Sequence, residues 1–506
     1  MLVPVWTAPA LTLIKADGLR VDFSWSEYIK HSAKVMEALY CRGVRKGDFV
    51  AVIALNLPES FFVLLGTITL GAVPVPINVP LVKEPGQKDL KSNLNDCKPK
   101  LVLANACLDE YLTNIGHVSF EQLLSEGDNE RPVPSDNWTN PKQLMIMPYT
   151  SGTTGGPKGV MLTRENIMNR IDAITEELGI SQEERLLSYL SLGHISELIA
   201  TFFGQLSVGY RVYFTEYAQE VVRDREKFRQ AIPAVLQAVK PTVFLAVPKV
   251  WINFRREIER KTRYIPLNLG RRGFLRDIIV DKIKKRLGFQ ETTKFVSAGS
   301  KLSSDDKRFF ASLGIYIDDV YGQTETAGPL TLNGKPIGDV SITIGKDDEI
   351  LVGGPNVMLG YFNNAEATGN VMENGVFHTG DIGIIDTEGR VYCGGRLDDG
   401  YKNAQAEFIS PEKIEELEET IRKIEGVDEV IVCGEGKPYN IALVFSSKPS
   451  EKLRHKLEAE ITKIGQGMYN IKKFILVNSK ELELTPTLKV RRRIMLKKFE
   501  SQISKL

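Results

Sequence analysis

The stretch Tyr149-Thr150-Ser151-Gly152-Thr153-Thr154-Gly155-Gly156-Pro157-Lys158-Gly159-Val160 concentrates hydroxylated residues and glycines around one lysine. Glycine lets backbone N–H groups approach an anion closely, and the hydroxyls and the ammonium group supply further hydrogen-bond donors. An apolar run at residues 144–147 precedes the stretch, and a helix-like pattern at residues 164–178 follows it. These flanks predict a strand-to-helix loop that wraps a polyphosphate.

Two properties of this loop leave its function open. Its composition is also that of a flexible Ser/Thr/Gly surface loop. It is not a loop of the Walker type, which needs Gly-Lys followed by Ser or Thr, because Lys158 lies between Pro157 and Gly159. Other parts of the chain must therefore decide what the loop binds.

The composition favours an intracellular protein of several folding units without a general affinity for nucleic acid. A chain of 506 residues exceeds one ordinary domain. Its 65 Lys and Arg against 64 Asp and Glu leave a formal net charge of +1, so no overall field attracts nucleic acid or an acidic membrane. The five cysteines and five histidines are scattered, which predicts free thiols and no metal site built from Cys and His.

The run at residues 60–82 carries no charge and is long enough to cross a bilayer. Gly66, Gly71, Pro74, Pro76 and Pro80 divide it into an apolar helix ending near residue 70 and a buried strand at residues 72–76. The amino terminus lacks the basic-then-apolar order of a signal peptide. These features predict a cytoplasmic protein.

Alternating apolar strands and helices predict an α/β fold. They extend from residue 49 to about residue 322 and imply two parallel sheets covered by helices on both faces. Frequent glycines then punctuate short strands, which predicts a β-rich subdomain at about residues 323–394. We predict an N-terminal domain at 1–394, a hinge at 395–400 and a small, mobile α+β C-terminal domain at 401–506.

Three further motifs follow the glycine-rich loop in a fixed order. They are Tyr321-Gly322-Gln323-Thr324-Glu325-Thr326, Thr379-Gly380-Asp381 and Gly395-Arg396-Leu397-Asp398-Asp399. Together with the loop, they resemble the motifs of the adenylate-forming superfamily, which includes acyl-CoA synthetases, firefly luciferase and peptide-synthetase adenylation domains. The resemblance covers nearly the whole chain.

Several stretches are similar to the long-chain fatty acyl-CoA synthetases in particular. They are Tyr189-Leu190-Ser191-Leu192-Gly193-His194, residues 240–251, residues 404–415 and Leu484-Thr485-Pro486-Thr487-Leu488-Lys489. The resemblance implies that a fatty acid attacks the α-phosphate of ATP and releases pyrophosphate. The thiol of CoA then attacks the acyl-adenylate and releases AMP. ATP, Mg²⁺ and CoA are the implied cofactors and co-substrates.

The resemblance also implies roles for individual residues. Thr150, Ser151, Gly152, Thr153, Thr154, Gly155 and Lys158 would hold the β- and γ-phosphates, while Glu325 would hold Mg²⁺ and Thr324 would contact the α-phosphate. Tyr321, Gly322, Gln323, Ala298 and Gly299 would lie around the adenine, Asp381 would accept the ribose hydroxyls, and Arg396 would reach phosphate or ribose. Lys489 would contact the carboxylate and the bridging oxygen, His194 would position the substrate, and the C-terminal domain would rotate about Asp398.

Each residue also has an ordinary structural interpretation. Asp381 alone fits a turn, Arg396 a surface ion pair and His194 a core or capping histidine. Lys489 begins a basic tail whose charges fit a solvated helix face. The basic stretch from Lys249 to Arg286 is either such a face or a contact for an anionic partner, namely the CoA nucleotide or a phospholipid surface.

Two departures from the long-chain pattern bear on the acceptor and the substrate. Ala406 replaces a glycine beside the implied pantetheine passage, and Lys301 lies where the family has an apolar segment. An acyl-AMP ligase that loads a carrier-protein phosphopantetheine is therefore one alternative. A catalytically silent acyl- or nucleotide-binding protein is a second, against which the joint presence of Lys158, Glu325, Asp381 and Lys489 counts.

Overall fold

The computed structural model describes residues 7–83, 86–127, 140–150, 156–262, 274–405, 407–461, 463–464, 469–483 and 490–506. These residues divide into two units. The first holds residues up to 341 together with 353–376, and the second holds 342–352 and 377–506. This division differs from the predicted boundary at residue 394, since residues 377–394 group with the carboxy-terminal part. The hinge at 395–400 stays a prediction.

Twenty-seven strands lie in the described residues. They are β1 (Pro9–Ile14), β2 (Arg20–Ser24), β3 (Phe49–Ile53), β4 (Val73–Ile77), β5 (Leu101–Ala104), β6 (Val118–Ser119), β7 (Leu144–Ile146), β8 (Tyr149–Thr150), β9 (Lys158–Thr163), β10 (Arg185–Leu187), β11 (Arg211–Thr215), β12 (Val243–Ala246), β13 (Lys294–Ser297), β14 (Ile317–Gln323), β15 (Gly328–Leu332), β16 (Lys335–Pro336), β17 (Ser341–Ile344), β18 (Glu349–Gly353), β19 (Gly360–Tyr361), β20 (Met372–Glu373), β21 (Val376–Ile385), β22 (Val391–Arg396), β23 (Tyr401–Lys402), β24 (Phe408–Ile409), β25 (Glu429–Cys433), β26 (Asn440–Ser446) and β27 (Ile471–Asn478).

The same described residues form seventeen α-helices. They are α1 (Trp25–Cys41), α2 (Pro58–Leu70), α3 (Gln87–Cys97), α4 (Phe120–Glu126), α5 (Arg164–Leu178), α6 (Ile195–Glu197), α7 (Gly204–Val208), α8 (Glu220–Arg223), α9 (Arg225–Val239), α10 (Pro248–Thr262), α11 (Phe274–Leu287), α12 (Ser304–Ser312), α13 (Ala365–Gly369), α14 (Pro411–Arg422), α15 (Glu451–Ile461), α16 (Arg492–Lys498) and α17 (Glu500–Ser504).

The first unit is built on sheets of largely parallel strands, as the α/β pattern predicts. One sheet has the order β4-β3-β5-β6 and is parallel throughout. A second, β10-β11-β1-β2, and a third, β12-β13-β14-β15-β16, combine parallel with antiparallel pairs. The N–H of Thr242 donates to the carbonyl of Arg185, which links the edge of the second sheet to the start of the third. The α/β fold is therefore confirmed.

The glycine-rich stretch is not followed directly by a helix, which corrects the predicted strand-to-helix loop. Residues 158–163 form β9, which pairs antiparallel with β8 so that Thr150 lies opposite Lys158. Val160 and Leu162 are buried on one face of this strand, and α5 begins only at Arg164. The prediction was wrong because a six-residue strand with one internal glycine carries too little apolar alternation to be distinguished from a loop.

The second unit has a small α+β arrangement. Strand β26 lies between β25, which is antiparallel to it, and β27, which is parallel to it. Helices α14 and α15 pack their apolar residues against this sheet, in a core that includes Ile414, Leu417, Val444 and Leu457. Strands β18, β21 and β22 form a separate antiparallel group in the same unit.

The uncharged run at residues 60–82 folds into helix α2 and strand β4, as its glycines and prolines predict. Across the described ranges, none of the helices combines the length and the apolar character that crossing a bilayer requires.

Candidate active site

Strand β14 carries the Tyr321-Gly322-Gln323 part of the second motif, and a 3₁₀ turn, Thr324–Thr326, follows it. The side chain of Thr326 accepts a hydrogen bond from the Gln323 N–H at 3.1 Å, which closes the turn. A Cβ atom on Gly322 would lie 2.0 Å from the carbonyl oxygen of Gly328 in the neighbouring strand β15. Only glycine allows this close approach, so the motif's glycine fixes the geometry that presents Glu325.

Glu325 is almost fully buried, and its carboxylate contacts a residue outside all of the predicted motifs. The hydroxyl of Tyr361 donates a hydrogen bond to Glu325 Oε1 at 3.0 Å. The ring of the same tyrosine lies under the ammonium group of Lys158, with Nζ 4.8 Å from the ring centroid. Tyr361 therefore contacts both the lysine of the glycine-rich stretch and the acid of the second motif.

The backbone around Tyr361 joins the same two segments. Tyr361 lies opposite Val160 in the antiparallel pair of β19 and β9. Three residues earlier, the N–H of Met358 donates to the carbonyl of Glu325 at 2.9 Å. Residues 358–362 thus hold strand β9, which begins at Lys158, and the turn that carries Glu325 at a fixed separation.

His194 lies immediately before α6, in a short segment that packs on the carboxyl ends of two parallel strands. Its N–H donates to the carbonyl of Ser191, and Ser191 Oγ donates to Asn78 Oδ1 at 2.6 Å. A Cβ atom on Gly193 would lie 2.6 Å from the Asn78 side chain. Asn78 follows β4 and Asn56 follows β3, so the first sheet supports the His194 segment.

A buried carboxyl anchors this segment from the other side. Glu197, at the end of α6, accepts a hydrogen bond from Ser188 Oγ at 2.7 Å and one from Asn56 Nδ2 at 3.3 Å. Asn56 Nδ2 also donates to the carbonyl of Leu190 at 2.7 Å. Burial raises the pKa of the Glu197 carboxyl to about 7, although the hydrogen bonds from Ser188 and Thr201 oppose the shift. A π-helical turn, Leu198–Phe203, follows directly, a feature often found at functional sites.

Ala298 and Gly299 lie at the carboxyl end of β13. The N–H of Ala298 donates to the carbonyl of Ala246 in the adjacent strand, and Gly299 has a φ of +91°. Lys301 is exposed. Burial raises the pKa of the nearby Asp319 carboxyl, and the hydrogen bond and charge of Lys307, with a smaller effect of the Lys301 charge, oppose the shift.

In the second unit, the structure brings two predicted residues together. Asp381 and Arg396 lie opposite each other in the pair of β21 and β22, and Arg396 Nη1 is 3.1 Å from Asp381 Oδ1. Arg396 also donates to the carbonyl of Thr379 at 2.6 Å. Asp381 is nearly buried, and its carboxylate forms an ion pair with the Arg396 guanidinium there. The predicted hinge residue Asp398 pairs with Arg493 at 2.9 Å, both about half exposed.

Some predicted residues fall outside the described part of the chain. They are Ser151, Gly152, Thr153, Thr154, Gly155, Lys489 and the atypical Ala406. The predicted basic stretch is described only in part, at residues 249–262 and 274–286. Trp251 there is fully buried in the core, and Arg255, Arg260, Lys261 and Lys285 pair with carboxylates of the same protein.

The residues that surround Glu325 fit a magnesium ion only if a bound molecule supplies further oxygens. Among the residues described, no group of three His, Cys, Asp or Glu could hold a metal ion by itself. Mg²⁺ commonly binds one or two carboxylates together with substrate phosphates and water. One buried carboxylate, connected through Tyr361 to a lysine, suits that mode of binding.

Two family models match most of this chain. The model of the AMP-binding enzyme family matches residues 7–362, and that of the AMP-binding enzyme C-terminal domain matches residues 407–506. The chain belongs to the AMP-binding enzyme family. The suspected adenylate-forming family is thereby confirmed.

Sequence relatives of this AMP-binding enzyme include fatty-acid–CoA ligases. It is 27% identical over 478 residues to long-chain-fatty-acid–CoA ligase ACSBG2 of Mus musculus, covering 80% of this chain and 70% of the relative. It is 29% identical over 345 residues to the putative fatty-acid–CoA ligase fadD11 of Mycobacterium tuberculosis, covering 60% and 58%.

Solved structures of similar fold cover almost the whole AMP-binding enzyme. O-succinylbenzoate coenzyme A synthetase (MenE) from Bacillus subtilis with ATP and magnesium ion has a TM-score of 0.73 at 22% identity, over 95% of each chain. McyG A-PCP with phenylalanyl-adenylate has a TM-score of 0.80 at 19% identity, over 98% of this chain and 81% of that one. At these sequence identities, the similarity shows a shared fold alone.

Sequence reasoning missed several residues that shape the site of this AMP-binding enzyme. Tyr361, Asn56, Asn78 and Glu197 lie in none of the motifs singled out from the sequence. Asn56 and Asn78 could have been found from their position, since Asn78 directly follows β4 and Asn56 lies three residues after β3, two buried parallel strands. Tyr361 offers no such local signal, because its partners lie 36 and 203 positions away in the chain.

Proposed function

We propose that this protein activates a carboxylic acid with ATP and transfers the acyl group to CoA. The observation that carries the proposal is the contact chain from Lys158 through Tyr361 to Glu325, which joins the glycine-rich stretch to the second motif. A cation and a carboxylate held by the same residue are suited to binding a polyphosphate with its divalent cation. Family membership and the fatty-acid–CoA ligase relatives support the same activity.

In the first half-reaction, a carboxylate oxygen forms a bond to the α-phosphorus of ATP and the bond to the bridging oxygen of pyrophosphate breaks. Both reactants are anions, so the protein must supply positive charge rather than a general base. Lys158 would neutralise the β- and γ-phosphates, and Lys489 would do so at the carboxylate and bridging oxygen. Glu325 would hold Mg²⁺, which supplies further neutralisation of the phosphate oxygens when it is bound.

In the second half-reaction, the CoA sulfur bonds to the acyl carbon and AMP leaves with the electrons of the acyl–oxygen bond, while the thiol proton passes to solvent. Asp381 and Arg396 would hold the ribose, the carboxylate accepting its hydroxyls. His194 would position the acyl carboxylate. The packing of its segment on Asn78 and Asn56 supports this role, because it fixes where the histidine lies.

A pyrophosphate-release assay over a panel of carboxylic acids tests the proposal. We expect release only when ATP, Mg²⁺ and a carboxylate are all present, with medium- and long-chain fatty acids the preferred class. The Glu325→Gln variant should lower the rate by roughly 100-fold, an effect typical of removing one group that stabilises the transition state. Release at an equal rate without any carboxylate would contradict the proposal.

A carrier-protein phosphopantetheine is the alternative acceptor. It is favoured by one comparison, since the McyG structure of similar fold contains an adenylation and a carrier part. Parallel assays with CoA and with a phosphopantetheinylated carrier protein separate the two acceptors. The main proposal expects AMP release to depend on CoA.

We also propose that the protein is cytoplasmic and contacts membranes peripherally through the basic stretch from Lys249 to Arg286. Exposed Arg256, Lys282 and Arg286 support this contact, whereas the ion pairs of the stretch reduce its free charge. Co-sedimentation with vesicles should rise with the content of anionic lipid and fall with salt. Binding that depends on neither would rule the contact out.

A further inference from the structure

Tyr361 contacts two charged groups that the proposed function uses separately. Its hydroxyl donates to Glu325 Oε1 at 3.0 Å, and its ring lies 4.8 Å from Lys158 Nζ. The tyrosine is itself nearly buried. A buried hydrogen bond to a charged acceptor is stronger than one between neutral groups, and a cation over an aromatic face is attracted by the ring quadrupole.

The backbone of Tyr361 is held as tightly as its side chain. Its N–H donates to Thr368 Oγ1 at 2.9 Å, and Thr368 Oγ1 in turn donates to the carbonyl of Asn364. The preceding Gly360 has a φ of +139°, and a Cβ atom there would lie 2.8 Å from the Thr368 side chain. The tyrosine therefore cannot move away from its two partners without disrupting strand β19 and helix α13.

We propose that Tyr361 is a positioning residue that sets the orientation of the metal-binding carboxylate and the phosphate-binding lysine together. Its hydroxyl fixes the rotation of the Glu325 carboxylate, and its ring fixes the position of the Lys158 ammonium group. A carboxylate that ligates a metal is usually oriented in this way by a hydrogen bond from a neighbouring residue. The inference rests on the proposed function for what the two groups bind.

Two substitutions separate the contributions of the hydroxyl and the ring. Tyr361→Phe removes the hydrogen bond to Glu325 and keeps the ring under Lys158. Tyr361→Leu removes both contacts. Tyr316→Phe is the matched control, because Tyr316 is also in the first unit but its side chain is largely exposed.

The first readout is binding of Mn²⁺, as a substitute for Mg²⁺, in the presence of a non-hydrolysable ATP analogue, followed by electron paramagnetic resonance. We expect Tyr361→Phe to weaken Mn²⁺ binding about tenfold, as loss of a hydrogen bond to a charged group predicts. The affinity for the nucleotide in EDTA should stay unchanged in Tyr361→Phe and fall several-fold in Tyr361→Leu, because only the latter frees Lys158.

These outcomes distinguish positioning from mere structural support. If both variants only lower the unfolding temperature and bind Mn²⁺ and nucleotide like the wild type, the inference is overturned. If Tyr361→Phe weakens nucleotide binding in EDTA as much as Tyr361→Leu does, the division between hydroxyl and ring is wrong. Failure of the wild-type protein to activate any carboxylate would refute the proposed function alone, since the binding measurements need no acid.

Discussion

At the scale of single residues, close backbone approaches decide where the charged groups lie. Gly322 allows β14 and β15 to come so near that the position of its missing Cβ is 2.0 Å from a carbonyl oxygen. Glu325 follows three residues later, in the turn that this approach creates. The geometry of the acid thus depends on a residue with no side chain.

Gly322→Ala should therefore both destabilise the protein and lower its activity. The added methyl group meets backbone that cannot rotate away, so we expect a loss of about 3 kcal/mol in the free energy of unfolding. All four tryptophans lie before residue 341, so their fluorescence in urea reports on the first unit. Gly116→Ala, where a Cβ atom meets nothing within 4 Å, is the control and should unfold like the wild type.

The buried carboxyl of Glu197 predicts a pH dependence of stability. Its pKa is raised by burial from 4.5 to about 7, so between these values the unfolded chain releases a proton that the folded protein keeps. The free energy of unfolding should fall as pH rises through this window, by at most about 3 kcal/mol, and stay level above it.

Glu197→Gln should remove this part of the pH dependence, measured by urea unfolding between pH 5 and pH 8. Glu176→Gln, at an exposed position on α5, should leave it unchanged. A wild-type protein that becomes more stable between pH 5 and pH 7 through Glu197 would contradict the sign of the predicted shift.

Candidate site residues could be recognised in the sequence where a motif marks them, and not where only a contact between distant segments does. Lys158 and Glu325 were recognised from their short motifs, and the structure links them through Tyr361. The role of Tyr361 depends on contacts across strands and turns far apart in the chain, which one sequence does not show. The roles of Lys489 and of residues 151–155 stay predictions.

At the scale of elements, helix α5 connects the strand after the glycine-rich stretch to the hairpin after the second motif. Arg170 on this helix is fully buried. Its Nη1 donates to the carbonyls of Pro329 and Ile337, each at 3.1 Å, on the two sides of the β15–β16 hairpin. Burial lowers the pKa of the guanidinium to about 10, and Asp339 opposes the shift.

Arg170→Met should detach this hairpin from α5. Two buried carbonyls would lose their donors, which costs about 2 to 5 kcal/mol in the free energy of unfolding. Arg170→Lys should recover only part of the loss. An ammonium group lacks the planar set of N–H donors with which a guanidinium reaches both carbonyls. Asp172→Ala, exposed on the same helix, is the control, and tryptophan fluorescence in urea is the measurement. An Arg170→Met protein as stable as the control would show that Arg170 does not hold the β15–β16 hairpin against α5.

Helix bounds were predicted accurately where proline, a capping residue or glycine marks the end of the helix in the sequence. Helix α2 begins at Pro58 and is followed by Gly71 in the left-handed conformation, and α5 begins after a Thr163 capping box and is followed by Gly179. The predicted helix end near residue 70 and the predicted helix at residues 164–178 agree with these bounds. Strands β9 and β27 were missed. Lys472 and Lys473 interrupt the apolar alternation of β27, whose burial comes from pairing with β26.

At the scale of the whole molecule, the resemblance assigns the two half-reactions to different parts of the chain. Lys489, in the carboxy-terminal part, would serve only adenylation. We expect Lys489→Ala to slow acyl-adenylate formation by roughly 100-fold or more and to leave conversion of an added acyl-adenylate to the thioester intact. Lys505→Ala is the control in the same basic tail. Equal loss of both half-reactions would contradict this division of roles.

The fold class and the succession of a large and a small part were predictable from the alternation of strands and helices, because that pattern is repeated many times along the chain. The grouping of residues 342–352 and 377–394 with the second unit was not, since it depends on pairing between segments such as β18 and β21. The order of the motifs identified the family, whereas the preferred acid leaves no comparable mark in the sequence.

The most direct test of the central claim is a product balance. The purified protein is incubated with a fatty acid, ATP, Mg²⁺ and CoA, and acyl-CoA, AMP and pyrophosphate are quantified together. Our account predicts the three products in equal amounts, each absent when the fatty acid is omitted. Formation of ADP and phosphate, or nucleotide cleavage that does not depend on any carboxylic acid, would contradict it.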